Sequence, residues 1–172
     1  VEMTRDIATS INHTYKQELF VLPESKVDKI VATVPGTDGA KMSKSYGNTI
    51  DMFNTKKKIK KQVMGIVTDS KELDDVKQWQ DCNVYKLSEL FMNEGELKDL
   101  QKRYETPGEG YGHFKLTLLD KINEHFAPYE EKRAHLLENP KEVYEILAFG
   151  AAKASKIAQE KMRVIRDAVG LI

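Results

Sequence analysis

The fold of this chain is decided by the stretch Ile30-Val31-Ala32-Thr33-Val34-Pro35-Gly36. Its first five residues are mostly apolar and β-branched, which is typical of a buried strand. Pro35, Gly36 and Gly39 then stop the strand and predict a loop. Ligands of open α/β sheets bind at the carboxyl ends of the strands. The residues that follow this strand are therefore the first place to look for a binding site.

The loop after the strand contains the sequence Lys41-Met42-Ser43-Lys44-Ser45, called here the lysine–serine loop. Two ammonium groups and two hydroxyls lie within five residues, and glycines surround them. Glycines let a backbone turn sharply and approach an anion, and lysine is a competent partner for phosphate. Composition alone favours a solvated surface turn, because lysine and serine are common in such turns. Its place directly after the strand favours a site for a nucleotide polyphosphate.

The predicted fold class is mainly α, with two parts. Residues 1–54 are interpreted as the tail of a Rossmann-like α/β nucleotide-binding domain, with a helix over 1–14, the strand and the lysine–serine loop. Because one strand cannot form a sheet alone, we expect its partners upstream of Val1 and interpret the chain as a piece of a longer protein. Residues 55–172 are predicted to form an all-helical domain.

The helical part is predicted from apolar residues at helical spacing. Pro128 lacks an N–H group and predicts a kink or break near Glu124. Asn139 and Pro140 predict the cap and first position of the last helix. The stripes are Ile59, Val63, Ile66; Val84, Leu87, Leu90, Phe91; Leu97, Leu100, Tyr104; Phe114, Leu118, Ile122, Phe126, Tyr129; and Val143 to Val169.

Composition excludes several classes of function. Lys plus Arg and Asp plus Glu number 27 each, so any contact with nucleic acid must come from a local patch. Cys82 is the single cysteine, which excludes a disulfide framework and a thiolate zinc site and fits a reduced cytosolic setting. The four histidines lack metal-ligand spacing, so no metal site is predicted. No Ser–His–Asp or Cys–His pattern indicates a hydrolase, and no apolar run reaches the roughly 20 residues that span a bilayer.

Three further features have a plain structural interpretation. The lysine run over residues 56–61 is interpreted as a solvated helix face, and contact with an RNA backbone stays open as the alternative. Gly108, Gly110 and Gly112 are interpreted as part of a flexible linker over 106–112, because no strand precedes them. Trp79 is predicted to be a core residue.

The lysine–serine loop resembles, in all five residues, the signature loop of class I aminoacyl-tRNA synthetases. Flanking segments make the chain similar to the bacterial tryptophanyl-tRNA synthetases, with the tyrosyl enzymes as the main rival. The resemblance covers essentially the whole chain, and its segments are 1–8, 38–40, 46–50, 67–70, 111–115 and 150–154.

The resemblance implies activation of tryptophan by ATP with Mg²⁺, followed by transfer to tRNA(Trp). It implies that Lys41 and Lys44 are catalytic and stabilise charge on the departing pyrophosphate. Ser43 and Ser45, with the backbone of Met42, would hold the ATP phosphates. A weaker correspondence places the backbone of Ile30 against the adenine.

The resemblance also implies how the domains of the whole enzyme are organised. Residues 55–172 resemble the domain that recognises the tRNA anticodon, with the last helix packed back on the catalytic domain. A cytoplasmic homodimer is implied for the whole enzyme. The His-x-Gly-His-type and Gly-x-Asp-Gln motifs of the class are not in this sequence, so we expect these residues alone to be inactive. A non-catalytic helical RNA-binding module is the alternative from a different class.

Overall fold

The computed structural model describes residues 1–27 and 33–171, and within them it contains six α-helices. A mainly helical chain was predicted and is confirmed. Most of the predicted strand over 30–34 lies outside the described residues. In the described part, the β pairing is a single antiparallel bridge between Pro35 and Lys41. The helices are α1 (Glu2–Tyr15), α2 (Lys56–Met64), α3 (Asn83–Ser88), α4 (Glu94–Glu105), α5 (Tyr111–Glu138) and α6 (Pro140–Ala168).

The chain divides into two compact units. One comprises Val1–Val27 with Ala134–Ile172, and the other comprises Asp28–Arg133. The second unit holds the lysine–serine loop together with α2, α3, α4 and most of α5. The predicted boundary between residues 54 and 55 concerns the domains of a longer protein and stays a prediction.

The core of the second unit consists of the apolar stripes that helical spacing predicted. Tyr104 is its largest fully buried side chain and stacks on Phe114 with ring centroids 3.9 Å apart. Burying one large apolar side chain contributes about 1.5–3 kcal/mol, so these stripes hold the helices together. Other core members are Ile59, Val63, Ile66, Val84, Leu87, Leu100, Leu118 and Ile122.

Two residues between α2 and α4 complete this core. The Cys82 thiol is buried, with its Sγ atom 3.4 Å from the Tyr104 hydroxyl. Trp79 packs on Tyr85 with ring centroids 4.9 Å apart, and it lies against the core as predicted. The indole Nε1 donates a hydrogen bond to Glu105. Its polar edge is thereby satisfied while its ring is partly buried.

A buried lysine organises the segment before α3. Lys77 is 2% exposed, and its Nζ donates to the carbonyl oxygens of Glu72 at 2.9 Å and Asp75 at 3.0 Å. A longer contact reaches Leu73. A buried ammonium group is tolerated only where acceptors surround it. The sequence did not indicate this role.

Helix α5 is continuous through Pro128, so of the predicted kink or break near Glu124 the break is wrong, and the kink stays a prediction. Proline removes one backbone donor, and tertiary packing beside it compensates for the loss. Phe126 lies edge-on to Phe53 and Phe91, with ring centroids 6.1 and 6.2 Å apart. The predicted linker before α5 is also shorter than expected, because Gly112 lies in the first turn of this helix.

Asn139 alone separates α5 from α6. Pro140 takes the start of α6 as predicted, but the Asn139 side chain does not cap that helix. Its Nδ2 and its backbone N–H both donate to the carbonyl oxygen of His135, at 2.8 and 3.0 Å. With one connecting residue, the side chain satisfies the end of α5 instead, where carbonyl groups lack partners.

The first unit combines α1 with α6 and a short turn after α1. Asn12 exchanges two hydrogen bonds with the backbone of Phe20, at 2.7 and 2.9 Å. Leu19 and Ala8 are buried, whereas α6 has no buried residue within the described part of the chain. No helix described here has both the length and the apolar character needed to cross a membrane.

Candidate functional site

The lysine–serine loop begins from a tight turn over residues 35–41. Pro35 and Lys41 pair as an antiparallel bridge, in which Gly36 N donates to Ala40 O at 2.7 Å and Met42 N donates to Val34 O at 2.9 Å. Gly39 has a φ of 85°, a conformation that residues with a side chain rarely adopt. The turn therefore depends on the glycine that the sequence supplies at this position.

Asn48 is the hub of the loop and is 3% exposed. Its Oδ1 accepts from Ser43 N at 2.8 Å, and its Nδ2 donates to Lys41 O at 3.2 Å. The same Nδ2 donates to Asp38 Oδ1 at 2.8 Å. One side chain thus holds the turn and the backbone on both sides of Met42.

Asp38 supports the same arrangement from the exposed side. Its Oδ1 accepts from Ala40 N at 3.0 Å in addition to the Asn48 amide. The hydrogen bond from Asn48 is the main reason that the pKa of Asp38 is lowered, since donors stabilise the charged carboxylate. Asp38 is therefore ionised at neutral pH and acts as an acceptor only.

The end of the loop carries the exposed functional groups. Lys44–Tyr46 form one turn of 3₁₀ helix, which ends at Gly47 with a φ of 68°. The hydroxyls of Ser43 and Ser45 lie 2.7 Å apart. Lys41 and Lys44 are exposed, and neither forms an ion pair with any residue that the structure describes.

The base of the loop is tied to the helices of the same unit. Thr37 N donates to Asn48 O at 2.9 Å, and Val67 N donates to Thr37 O at 2.7 Å. Asn83 Nδ2 then donates to Val67 O at 3.2 Å. This chain of contacts anchors the turn to α3, while the lysine side chains stay at the surface.

The five predicted loop residues lie together, and Ile30 lies outside the described residues. The backbone N–H of Met42 is already paired with Val34, so within this conformation the serine hydroxyls and lysines are the groups that face solvent. Sequence reasoning missed Asn48 and Asp38 as organisers. Asp38-Gly39 is a turn signal, but no local pattern marks Asn48.

The arrangement has the chemistry of a polyphosphate site. Two exposed ammonium groups and two hydroxyls lie on one loop, which suits a ligand with several anionic oxygens. Among residues 1–27 and 33–171, no cluster of three histidine, cysteine or acidic side chains could hold a metal ion.

Comparison with known proteins identifies the family of the chain. The family model for class I tRNA synthetases (W and Y) matches residues 1–127. The tryptophan–tRNA ligase of Campylobacter jejuni strain RM1221 is 53% identical over 171 residues, which cover 99% of this chain and 53% of that protein. The tryptophan–tRNA ligase of Fusobacterium nucleatum is 47% identical over 172 residues, again 53% of its length.

A solved structure gives the same correspondence. The crystal structure of Campylobacter jejuni tryptophanyl-tRNA synthetase complexed with ADP and tryptophan matches with a TM-score of 0.84 and 53% identity. The match covers 99% of this chain and 53% of that one. The chain thus spans about half the length of the relatives that it matches.

Proposed function

The chain belongs to the class I tRNA synthetases for tryptophan and tyrosine, and from this we propose that the protein containing it activates tryptophan with ATP and transfers it to tRNA(Trp). The observation that carries the proposal is the 53% identity, over 99% of the chain, to a synthetase crystallised with ADP and tryptophan. The relatives named tryptophan–tRNA ligase favour tryptophan over tyrosine. Membership of this family also favours an enzyme over a non-catalytic RNA-binding module.

In the proposed reaction, the tryptophan carboxylate attacks the α-phosphorus of ATP and magnesium pyrophosphate leaves. Lys41 and Lys44 stabilise the negative charge that develops on the leaving group, and the hydroxyls of Ser43 and Ser45 hold phosphate oxygens. This would be electrostatic stabilisation of the charge that develops in the transition state. Mg²⁺ enters as part of the nucleotide substrate.

The second half of the proposal concerns partners. Residues 55–172 are proposed to recognise the anticodon of tRNA(Trp), with the last helix packed on the catalytic domain of the whole enzyme. We also propose a cytoplasmic homodimer for that enzyme, and Ile30 as a backbone contact to adenine. These parts rest on the family and not on a contact within this chain.

The test is tryptophan-dependent exchange of pyrophosphate into ATP. The complete protein is assayed with tryptophan and, as the matched control, with tyrosine, and residues 1–172 are assayed alone. We expect exchange with tryptophan only, and none by residues 1–172 alone. Exchange that depends on tyrosine would contradict the proposed specificity, and no exchange with either amino acid would contradict the proposed reaction.

A further inference from the structure

We propose that Asn48 is the positioning residue of the lysine–serine loop, because its side chain fixes the backbone at Lys41 and Ser43 and so sets where both lysines begin. The inference rests on the proposed function and extends it to a residue outside the phosphate-binding groups. Asn48 is buried, whereas Lys41 and Lys44 are exposed. It therefore acts through the loop and does not touch the ligand.

The hydrogen-bonding capacity of Asn48 matches its surroundings. A carboxamide offers two N–H donors and one acceptor oxygen. Both donations are used, to Asp38 Oδ1 at 2.8 Å and Lys41 O at 3.2 Å, and Oδ1 accepts from Ser43 N at 2.8 Å. Water cannot replace these partners at a buried side chain, so removing them leaves polar groups unsatisfied.

The three contacts divide the loop into a fixed base and a free end. The carbonyl oxygen of Lys41 accepts a hydrogen bond from Asn48. Lys44 is the next residue after Ser43, whose N–H donates to Asn48. The 3₁₀ turn Lys44–Tyr46 beyond that point is exposed. A change at Asn48 therefore moves both ammonium groups together, while the side chains that bind phosphate stay chemically intact.

No other residue type reproduces this pattern at position 48. Aspartate has the same shape and keeps the acceptor for Ser43 N, but it loses both donations. It also places a second carboxylate beside Asp38. A longer side chain such as glutamine has no room, because Gly36 approaches the Asn48 side chain closely. Asn48→Asp is thus the substitution that removes the positioning contacts with the least change in volume.

The experiment measures Asn48→Asp in the complete protein. We expect kcat for tryptophan-dependent exchange to fall about 10²-fold, the loss that a displacement of about 1 Å in a reacting group can cause. The KM for tryptophan should not change. Amide hydrogen exchange should accelerate over residues 41–48 and stay unchanged in α5, which reports loop release without reference to activity.

Two further variants complete the design. Adding Asp38→Asn to Asn48→Asp removes the carboxylate repulsion and supplies an amide that can donate to position 48, so part of the lost kcat should return. Asn54→Asp is the matched control, since the Asn54 amide also donates to an aspartate, Asp51, but lies outside the loop. It should leave kcat unchanged. If Asn48→Asp does not fold, the double variant compared with Asp38→Asn alone carries the same test.

The outcomes separate this inference from the proposed function. Normal kcat in Asn48→Asp, or a loss that Asp38→Asn does not relieve, would overturn the positioning role. A loss of tryptophan binding equal to the loss of kcat would overturn it as well. If the unsubstituted protein shows no tryptophan-dependent exchange but loop release still follows Asn48→Asp, the proposed reaction fails and the structural link between Asn48 and the loop stands.

Discussion

The backbone of Gly36 lies so close to Asn48 that a Cβ at position 36 would overlap the Asn48 carboxamide. A Cβ atom essentially never comes within 3.0 Å of such an atom, so a side chain here must displace the Asn48 amide. The turn over residues 35–41 and the hydrogen bonds of Asn48 therefore require a glycine at residue 36.

Gly36→Ala should consequently reproduce the effect of altering Asn48. We expect kcat for tryptophan activation to fall by about tenfold or more, with the KM for tryptophan unchanged. Combining Gly36→Ala with Asn48→Asp should add little, because both changes act on one set of contacts. Steady-state exchange kinetics measure this. Gly112→Ala is the control, since a Cβ there meets no atom within 4 Å. Additive losses would show that the two residues act separately.

Lys44→Ala in the complete protein should slow formation of the adenylate by about 10²-fold, since one good electrostatic donor contributes about 3 kcal/mol to a charged transition state. Tryptophan affinity should change little, because the lysine meets the phosphates and not the amino acid. Single-turnover kinetics measure the rate. Lys57→Ala, which removes an exposed lysine of α2, is the control. An unchanged rate in Lys44→Ala would mean that the loop is only a surface turn.

Lys77→Met should destabilise the protein by about 2 kcal/mol, because it removes a buried ammonium group and leaves the carbonyl oxygens of Glu72 and Asp75 without their charged donor. Methionine keeps most of the side-chain volume, so packing changes little. The free energy of unfolding, measured in urea, checks this. Lys71→Met is the control: Lys71 Nζ donates to Val76 O at 2.9 Å, but at an exposed position, where substitutions usually cost less than about 0.5 kcal/mol. Equal losses in both variants would contradict the importance of burial.

Glu109→Gln should flatten the dependence of stability on acid pH. The ion pair with Arg103 lowers the pKa of Glu109, and Arg103 Nε lies 3.0 Å from Glu109 Oε2. A carboxylate with a lowered folded-state pKa stabilises the protein above its unfolded pKa of about 4.3, and this contribution disappears as pH falls through the folded value.

Glu109→Gln should therefore be less stable than the natural sequence at neutral pH, and the difference should shrink as pH falls below about 4.3. Thermal denaturation at a series of pH values measures it. Asp120→Asn, which removes an exposed carboxylate of α5, is the comparison. A difference that stays constant down to the lowest pH would contradict the role of this pair.

Lys56→Glu should raise stability by about 0.5 kcal/mol, because Lys56 lies in the first turn of α2, where the helix dipole favours negative charge. Lys61→Glu, in the last turn, should lower stability by a similar amount. Both lysines are exposed and are interpreted as solvated, so the KM for tRNA should be unchanged in both variants. A several-fold increase in that KM would favour the alternative of contact with an RNA backbone.

The helices of the second unit were predictable because their apolar residues repeat with the helical period and face one core. Ile59 and Val63 in α2, and Phe114 and Leu118 in α5, are buried where the spacing placed them. Of the kink or break expected near Glu124, the break was wrong, because α5 continues through Pro128. Asn139 was placed correctly between two helices, but a one-residue connection let its side chain serve the preceding helix.

Only the exposed lysines and serines of the candidate site were predictable from the sequence. Local composition identified the lysines and serines, because phosphate chemistry requires those residue types near glycine. Asn48 and Lys77 were missed, since their roles arise from backbone atoms that meet them after folding. Side chains that bind nearby backbone groups at irregular separations leave no period or motif in a sequence.

The contact between Cys82 and Tyr104 has a practical consequence. Because this is the single cysteine of the chain and it is 8% exposed, a thiol reagent reaches it when the helices separate around it. The rate of alkylation in increasing urea therefore measures how often that interior opens, without any engineered label. Cys82 is therefore a natural probe of local unfolding in the core of the second unit.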